Sequence, residues 1–209
     1  MRKIFICEDH NIIVDGLKLL LKNSKDFKII GHTGEGKNLI TVIDNEKPDI
    51  LLLDLNLKDT DGLTLLEQIR QTNKTLKIVI LTMYQDYFLI ERAQKSGANA
   101  YLQKNVTGDE LIKTLRQLET NNFYLSKTLQ QETERKKSFR DQFANKMKLT
   151  KRELELIPLL ATGKNSSQIA SQLDISSNTI DTHRKNIFRK LEINSMIELV
   201  NFAHENNLV

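Results

Sequence analysis

The stretch ILLLDLNLKDTDG, residues 50–62, places Asp54 directly after a run of apolar residues, with further acids close behind. Near the start of the chain, Glu8 and Asp9 follow another apolar run, KIFIC. Carboxylates that converge on one crevice repel each other, and their pKa values rise unless a cation neutralises them. Magnesium uses few protein oxygens and keeps water or phosphate oxygens for its other positions. If the two segments meet, they therefore predict a Mg²⁺ site.

The elements that must bring these acids together alternate between short apolar runs and amphipathic stretches. Runs such as RKIFIC, ILLL and IVIL suit strands that are buried on both faces, and helical patterns separate them. The β–α unit repeats five times, which predicts parallel strands joined by right-handed helical crossovers. We therefore expect residues 1–119 to form a flavodoxin-like, doubly wound α/β domain with five parallel strands.

This topology predicts where the chemistry lies. In a doubly wound sheet, ligands bind at the carboxyl ends of the strands, beside the point where the strand order reverses. Glu8 and Asp9 end the first predicted strand, Asp54 the third and Thr82 the fourth, while Lys104 ends the fifth. A carboxylate nucleophile, a metal site, a hydroxyl and an ammonium group at one edge together match phosphoryl transfer to an aspartate.

Bulk composition restricts the class of protein. No apolar run approaches the roughly 20 residues that span a bilayer, and the N-terminus turns acidic too early for a signal peptide. We therefore expect a cytoplasmic protein without membrane contact. The single cysteine, Cys7, rules out an internal disulfide and disfavours a zinc cluster, and we expect a buried core thiol. The net charge of +4 permits nucleic-acid binding without demonstrating it.

The second half of the chain has a different pattern. Residues 120–148 are polar, carry charges of both signs and are predicted to form a linker, partly helical. Residues 149–209 show helical signals only, including two capping-box spacings, Thr150 with Glu153 and Asn165 with Gln168. These signals predict four helices, at about Lys151–Ala161, Ser166–Leu173, Asn178–Leu191 and Met196–Glu205.

One residue conflicts with the first of these helices. Pro158 lies where that helix should be continuous, and a proline inside a helix costs about 3 kcal/mol or introduces a kink. Either the helix bends at this point or its predicted boundary is wrong.

The two middle helices of this region have the spacing of a DNA-binding motif. SSQIASQLD, the tight connection DISS and the basic stretch NTIDTHRKNIFRKL predict a helix-turn-helix. In that motif the second helix enters the major groove, and its basic residues reach phosphates. His183 has no other histidine, cysteine or acid at ligand spacing, so we assign it no metal or catalytic role.

Residues 1–119 resemble the receiver domain of bacterial two-component response regulators. The resemblance implies that a sensor histidine kinase donates a phosphoryl group to Asp54, and that Lys104 pairs with the phosphoryl oxygens. Thr82 and Tyr101 resemble the family's switch pair, in which the hydroxyl turns toward the phosphoryl group and the ring moves inward. The implied Mg²⁺ ligands are Glu8, Asp9, Asp54 and the backbone carbonyl of Asn56.

Two departures from the receiver pattern stand out. Glu8 replaces the first of the family's usual two aspartates, and Asn105 stands where a proline often follows the lysine. Neither change removes a group that the chemistry requires.

Residues 149–203 resemble the four-helix DNA-binding domain of the NarL/FixJ regulators, which are of LuxR type. The resemblance implies binding to double-stranded promoter DNA and a homodimer in the phosphorylated state. Asp181 departs from the common basic residue, and it can either accept a hydrogen bond from a cytosine amino group or stabilise the start of its helix. The implied base-facing residues are Asp181, Thr182 and Lys185, and the implied backbone contacts are Thr179, Arg184, Arg189 and Lys190.

The leading hypothesis is therefore a transcription regulator, and not an enzyme, in which phosphorylation of Asp54 releases or dimerises the helix-turn-helix. One alternative is an aspartyl-phosphate phosphatase of the haloacid-dehalogenase kind, which expects a second aspartate at the position of Asn56. The other is a DNA-binding protein that works without phosphorylation and uses its first domain for dimerisation.

Overall fold

The computed structural model describes residues 1–118, 123–173, 175–206 and 208. The chain forms two compact units, Met1–Thr133 and Glu134–Val209. The first unit alternates strands and helices in this order: β1 Arg2–Cys7, α1 Asn11–Leu21, β2 Phe27–Thr33, α2 Leu39–Glu46, β3 Ile50–Leu53, α3 Gly62–Thr72, β4 Lys77–Thr82, α4 Tyr87–Lys95, β5 Ala100–Gln103, α5 Gly108–Gln117 and β6 Tyr124–Leu125.

The sheet confirms the predicted fold class. Its strands are all parallel and follow the order β2-β1-β3-β4-β5-β6, so the order reverses at β1, between β2 and β3. The sequence predicted five strands, and the described residues form six. The extra strand, β6, pairs in parallel with β5 and lies in the segment predicted to be a linker. Residues 120–122, which also belong to that prediction, lie outside the described residues, as does residue 119 of the predicted first domain.

Strand β3 shows why continuous apolar runs suit this sheet. Its four residues are all buried, yet they serve two different cores. Leu51 and Leu53 belong to the core on one face, while Ile50 and Leu52 belong to the core on the other. Side chains alternate across a strand, so a sheet that is covered on both faces needs apolar residues at every position. Cys7 is fully buried in the first of these cores, as predicted.

Helix α6, Lys127–Lys146, begins in the first unit and ends in the second. The remaining helices match the predicted four within one residue: α7 Lys151–Ala161, α8 Ser166–Leu173, α9 Ser177–Leu191 and α10 Met196–Glu205. Both predicted capping boxes form: Thr150 with Glu153, and Asn165 with Gln168. Helix α7 continues through Pro158, so its predicted boundary is correct.

The core of the second unit joins its helices around buried aliphatic side chains. Ile157 of α7, Ile169 of α8, Ile180 and Ile187 of α9 and Leu199 of α10 are each fully buried there. The helix-turn-helix is thus held by one common core. In both units, no helix formed by the described residues is long and apolar enough to cross a membrane.

Candidate functional site

The acids at the strand ends are brought together by strand register. Strands β1 and β3 are neighbours, and Cys7 pairs with Leu53 at their carboxyl ends. The backbone N–H of Asp54 donates to the carbonyl of Cys7 at 2.9 Å. The next residues of the two strands, Glu8 and Asp54, therefore emerge side by side at the same edge of the sheet.

Lys104 lies between these two acids. Its Nζ is 2.8 Å from Asp54 Oδ2, and it is 2.9 Å and 2.7 Å from the two carboxylate oxygens of Glu8. All three side chains are nearly inaccessible to solvent, with exposures of 4% for Lys104, 3% for Glu8 and 1% for Asp54. Lys104 directly follows β5, and its backbone N–H donates to the carbonyl of Thr82 on β4 at 2.9 Å, which extends the pairing of the two strands to Lys104.

Asp9 and His10 complete the acidic cluster. The Nδ1 atom of His10 is 2.8 Å from Glu8 Oε1 and 2.8 Å from Asp9 Oδ1. Ligand atoms of Glu8, Asp9, His10 and Asp54 all lie within 4.8 Å of one another. Asp54 Oδ1 is buried and accepts no hydrogen bond from any described residue. The cluster therefore offers more carboxylate oxygens than the one buried ammonium satisfies.

The charges in the crevice perturb two groups. Burial disfavours the charged form of Lys104, but its hydrogen bonds to Asp54 and Glu8 outweigh burial and raise its pKa above the ordinary value. Burial, together with the negative charges of Asp59, Asp54, Glu8 and Asp9, raises the pKa of the Cys7 thiol to about 12. The ammonium is thus held in its charged form, whereas the thiol stays neutral and unreactive.

The chain after Asp54 turns tightly before α3. Gly62 allows this turn, because a Cβ atom there would overlap the carbonyl oxygen of Asp54 and lie 2.6 Å from Leu55 Cα. Asp61 caps α3 by accepting from the N–H of Thr64 at 2.9 Å. Asn56 forms an isolated backbone bridge with Asp61 and is itself exposed. The structure thus places Asn56 in the same loop as Asp54.

The predicted switch residues Thr82 and Tyr101 are both fully buried. The Tyr101 hydroxyl donates to the carbonyl of Tyr84 at 3.0 Å, and the N–H of Tyr84 lies 3.5 Å from Thr82 Oγ1. Burial raises the pKa of the Tyr101 hydroxyl, as do the charges of Asp86 and Asp54. The Tyr101 ring is therefore buried, and Tyr84 connects it to the end of β4.

Helix α9 presents one exposed row of polar side chains. Asn178, Thr182, Lys185 and Arg189 are exposed and recur at the spacing of a single helix face. We call these four residues the α9 stripe. The buried side of the same helix carries Ile180 and Ile187. Three of the predicted DNA-contacting residues, Thr182, Lys185 and Arg189, therefore share one accessible surface.

Three other predicted DNA-contacting residues have partners within the unit. Asp181 Oδ1 accepts a hydrogen bond from Ser166 Oγ at 2.6 Å and lies 3.4 Å from a guanidinium nitrogen of Arg184. Thr179 is exposed, and its hydroxyl is 2.8 Å from that of Ser176. Asp181 thus joins the start of α8 to the first turns of α9, which favours the structural role for this acid.

Lys190, the last of the predicted DNA-contacting residues, forms an ion pair within the unit. Its Nζ is 2.6 Å from Glu153 Oε2 of α7, and the side chains are 23% and 3% exposed. Burial opposes ionisation of Glu153, but the hydrogen bonds from Lys190 and Thr150 outweigh it and lower the pKa of Glu153 below its ordinary value. The predicted contact of Lys190 with the DNA backbone would have to compete with this ion pair.

Two family comparisons agree with this division of the chain. Residues 4–116 match the response regulator receiver domain, and residues 147–203 match the luxR family of bacterial regulatory proteins. The chain belongs to the luxR-type response regulators. The regulator is 32% identical over 214 residues to the transcriptional regulatory protein YdfI of Bacillus subtilis, covering 100% of this chain and 98% of YdfI.

Other relatives span the same length. The oxygen regulatory protein NreC of Staphylococcus epidermidis is 31% identical to the regulator over 218 residues, covering 99% of each chain. A structure of the response regulator RcsB from Salmonella typhimurium superposes with a TM-score of 0.66 at 23% identity, covering 98% of the regulator and 100% of that chain. The RcsB likeness shows the shared fold.

Sequence reasoning about the regulator missed three residues near its candidate sites. His10 directly follows the acidic pair and contacts both acids, and Lys58 Nζ lies 3.8 Å from Asp9 Oδ2. Asn178 belongs to the α9 stripe. Asn178 could have been found from the spacing of exposed residues along α9, whereas the contacts of His10 and Lys58 depend on loop geometry that spacing does not show.

Proposed function

We propose that Asp54 is the residue on which the regulator receives its signal, as an acyl phosphate. The supporting observation is the environment of its carboxylate: Lys104 holds Oδ2 at 2.8 Å, while Oδ1 accepts no hydrogen bond from any described residue. In the proposed step a carboxylate oxygen forms a bond to phosphorus, and the phosphorus–nitrogen bond to a histidine of the donor kinase breaks. Lys104 then pairs with the added negative charge.

The acidic cluster fits Mg²⁺. Its donors are carboxylate oxygens, which magnesium prefers, and three carboxylates face one buried ammonium, so the cluster lacks positive charge. We assign Glu8, Asp9, Asp54 and the backbone carbonyl of Asn56 as the groups that hold the ion. When bound, Mg²⁺ supplies the positive charge that stabilises the transferring phosphoryl group.

We propose that the charge added at Asp54 biases the switch formed by Thr82 and Tyr101. Both residues are buried beside the crevice, and the Tyr101 hydroxyl already contacts the β4–α4 segment through Tyr84. A phosphoryl group adds a charge of about −1.5 to −2, which is enough to reorganise such an element. In this account the phosphorylated regulator forms a homodimer and its helix-turn-helix binds double-stranded promoter DNA.

The surface that meets DNA is the α9 stripe. Its amide, hydroxyl and basic side chains are exposed, and they combine groups that read base edges with groups that bind phosphates. RcsB has been solved in complex with DNA and as dimers bound to DNA, and we extend that mode of action to the regulator. We infer that the regulator acts in the cytoplasm on a signal from a sensor kinase, and that it does not turn over a separate substrate.

Intact-mass spectrometry tests the phosphorylation step. The regulator is incubated with Mg²⁺ and acetyl phosphate, and wild type is compared with Asp54→Ala and with Asp44→Asn, which alters an exposed acid of α2. We expect a base-labile phosphoryl adduct on wild type and on Asp44→Asn only. Absence of the adduct from wild type, under conditions that label another receiver domain, would favour phosphorylation-independent DNA binding instead.

A further inference from the structure

Two loops beside the acidic cluster are joined by a single carboxylate. The clamp loop, residues 34–37, follows β2, and the acceptor loop, residues 54–62, follows β3. Asp59 of the acceptor loop accepts a hydrogen bond from the N–H of Gly36 at 2.9 Å and another from the N–H of Lys37 at 3.0 Å. Each oxygen of the carboxylate takes one of these donors, so Asp59 binds the clamp loop in a bidentate manner.

The packing around Gly36 reinforces this connection. A Cβ atom at Gly36 would overlap Thr60 Cγ2 of the acceptor loop and lie 3.0 Å from Leu65 Cδ2. The backbone of the clamp loop thus packs against the Thr60 side chain of the acceptor loop only because residue 36 has no side chain. The clamp loop also lies against the acids, since a Cβ atom at Gly34 would be 3.3 Å from Asp9 Cα.

We propose that Asp59 is a positioning residue for the Mg²⁺ site, which it serves by fixing the acceptor loop, with its Asn56 carbonyl, against the loop that packs on Asp9. This proposal rests on the metal site assigned above and adds a residue to it. Asp61 and Gly62 hold the far end of the acceptor loop next to α3. Asp59, three residues after Asn56, holds the outer side of the same loop through its two hydrogen bonds to the clamp loop.

Ionisation of Asp59 suits this role. Hydrogen bonds from the backbone of Gly36 and Lys37 lower the pKa of Asp59 below its ordinary value. The carboxylate therefore stays charged throughout the neutral range, and both of its oxygens remain acceptors. Groups that orient metal ligands without touching the metal typically contribute 10–100-fold to metal affinity. If the hydrogen bonds of Asp59 are removed, the protein should therefore lose affinity for Mg²⁺ while it remains folded.

The test measures Mg²⁺ binding to the full-length protein by isothermal titration calorimetry, together with amide NMR spectra of the clamp loop. Asp59→Ala removes both acceptors, and Asp59→Asn retains one carbonyl oxygen. Gly36→Ala separates the loops from the opposite side while Asp59 is kept. Asp44→Asn is the matched control, because it removes one exposed acid of α2 whose side chain has no described hydrogen bond.

We expect Asp59→Ala and Gly36→Ala each to weaken Mg²⁺ binding about tenfold, with Asp59→Asn between them and wild type. The amide resonances of Gly36 and Lys37 should shift upfield in Asp59→Ala, and Asp44→Asn should bind as wild type does. Wild-type affinity in a folded Asp59→Ala, or in Gly36→Ala if the first variant does not fold, would overturn the proposal.

The Mg²⁺ titrations and the intact-mass experiment together distinguish this proposal from the function on which it rests. A wild type that binds Mg²⁺ without accepting phosphate, while Asp59→Ala binds more weakly, would support the positioning role and contradict Asp54 phosphorylation. A wild type that accepts phosphate, with unchanged affinity in every loop variant, would contradict the positioning role alone. A wild type that binds no Mg²⁺ would overturn both.

Discussion

Two lysines of the regulator meet buried carboxylates, and the balance of charge around them differs. Lys190 faces one acid, Glu153, at 2.6 Å in the core-forming contact between α7 and α9. Lys104 faces two acids, Glu8 and Asp54, with Asp9 close behind. Glu153 Oε2 accepts hydrogen bonds from both Lys190 and the backbone N–H of Thr150, whereas the buried Oδ1 of Asp54 accepts none from any described residue.

This difference indicates which ion pair is structural and which one is part of a reactive site. A balanced, hydrogen-bonded pair gains nothing from a further cation, but removal of one partner leaves the other charge buried. An acidic cluster with too few cations is under repulsion until another positive charge arrives. We therefore infer that Lys190 stabilises a contact between helices and that Lys104 serves the proposed phosphorylation site.

The largest expected effect is on stability when the balanced pair is broken. Lys190→Met preserves the length of the side chain but leaves Glu153 buried without its partner, and we expect the second unit to lose about 3 kcal/mol. Hydrogen–deuterium exchange of α7 and α9 measures this loss. Lys185→Met is the control, because Lys185 is exposed on the same helix and should change stability by less than about 0.5 kcal/mol. Equal exchange in the two variants would contradict the structural role of Lys190.

Removal of an acid from the unbalanced cluster should increase stability, whereas breaking the balanced pair lowers it. Asp9→Asn reduces the repulsion among the carboxylates, so we expect it to stabilise the Mg²⁺-free protein by about 1 kcal/mol. We expect Mg²⁺ to raise the melting temperature of wild type by binding to the folded state, and Asp9→Asn should abolish this increase. Thermal unfolding with and without Mg²⁺ measures both effects. A lower melting temperature for Asp9→Asn in the absence of Mg²⁺ would refute the charge-excess argument.

The smallest expected effect is on the salt dependence of DNA binding, in which the two lysines of α9 should differ. Lys185→Met should reduce the slope of log affinity against log salt concentration by about 0.9, the contribution of one phosphate contact. Lys190→Met, measured at a temperature at which circular dichroism shows it to be folded, should leave the slope unchanged because Glu153 already neutralises Lys190. Fluorescence anisotropy with duplex DNA over a salt series gives both slopes. A reduced slope for Lys190→Met would restore Lys190 as a phosphate contact.

The fold and the crevice could be predicted because they follow from local pattern and general topology. Once the parallel order is established, the strand-end positions of Glu8, Asp54, Thr82 and Lys104 must lie at one edge. The capping boxes are local too, since residues three apart form each of them. These predictions required no knowledge of contacts between distant side chains.

The features that the sequence did not reveal depend on distant partners. Strand β6 has only two residues in a polar segment and exists because it extends the edge of β5. Basic residues of α9 were assigned to DNA by type, yet Lys190 lies one turn beyond Ile187, on the side that meets α7. Asp59 gives no signal in the sequence, because its donors come from a loop 22 and 23 residues earlier.

If the crevice at Asp54 controls DNA binding through α9, phosphorylation must change the affinity of the regulator for DNA, and this affinity can be measured directly. A duplex is selected from a random-sequence pool, and its affinity is measured before and after treatment of the regulator with Mg²⁺ and acetyl phosphate. We predict that treatment increases the affinity of wild type at least about tenfold, a coupling of about 1.4 kcal/mol, and leaves Asp54→Ala unchanged. Equal affinity of phosphorylated and untreated wild type for the selected duplex would contradict the account.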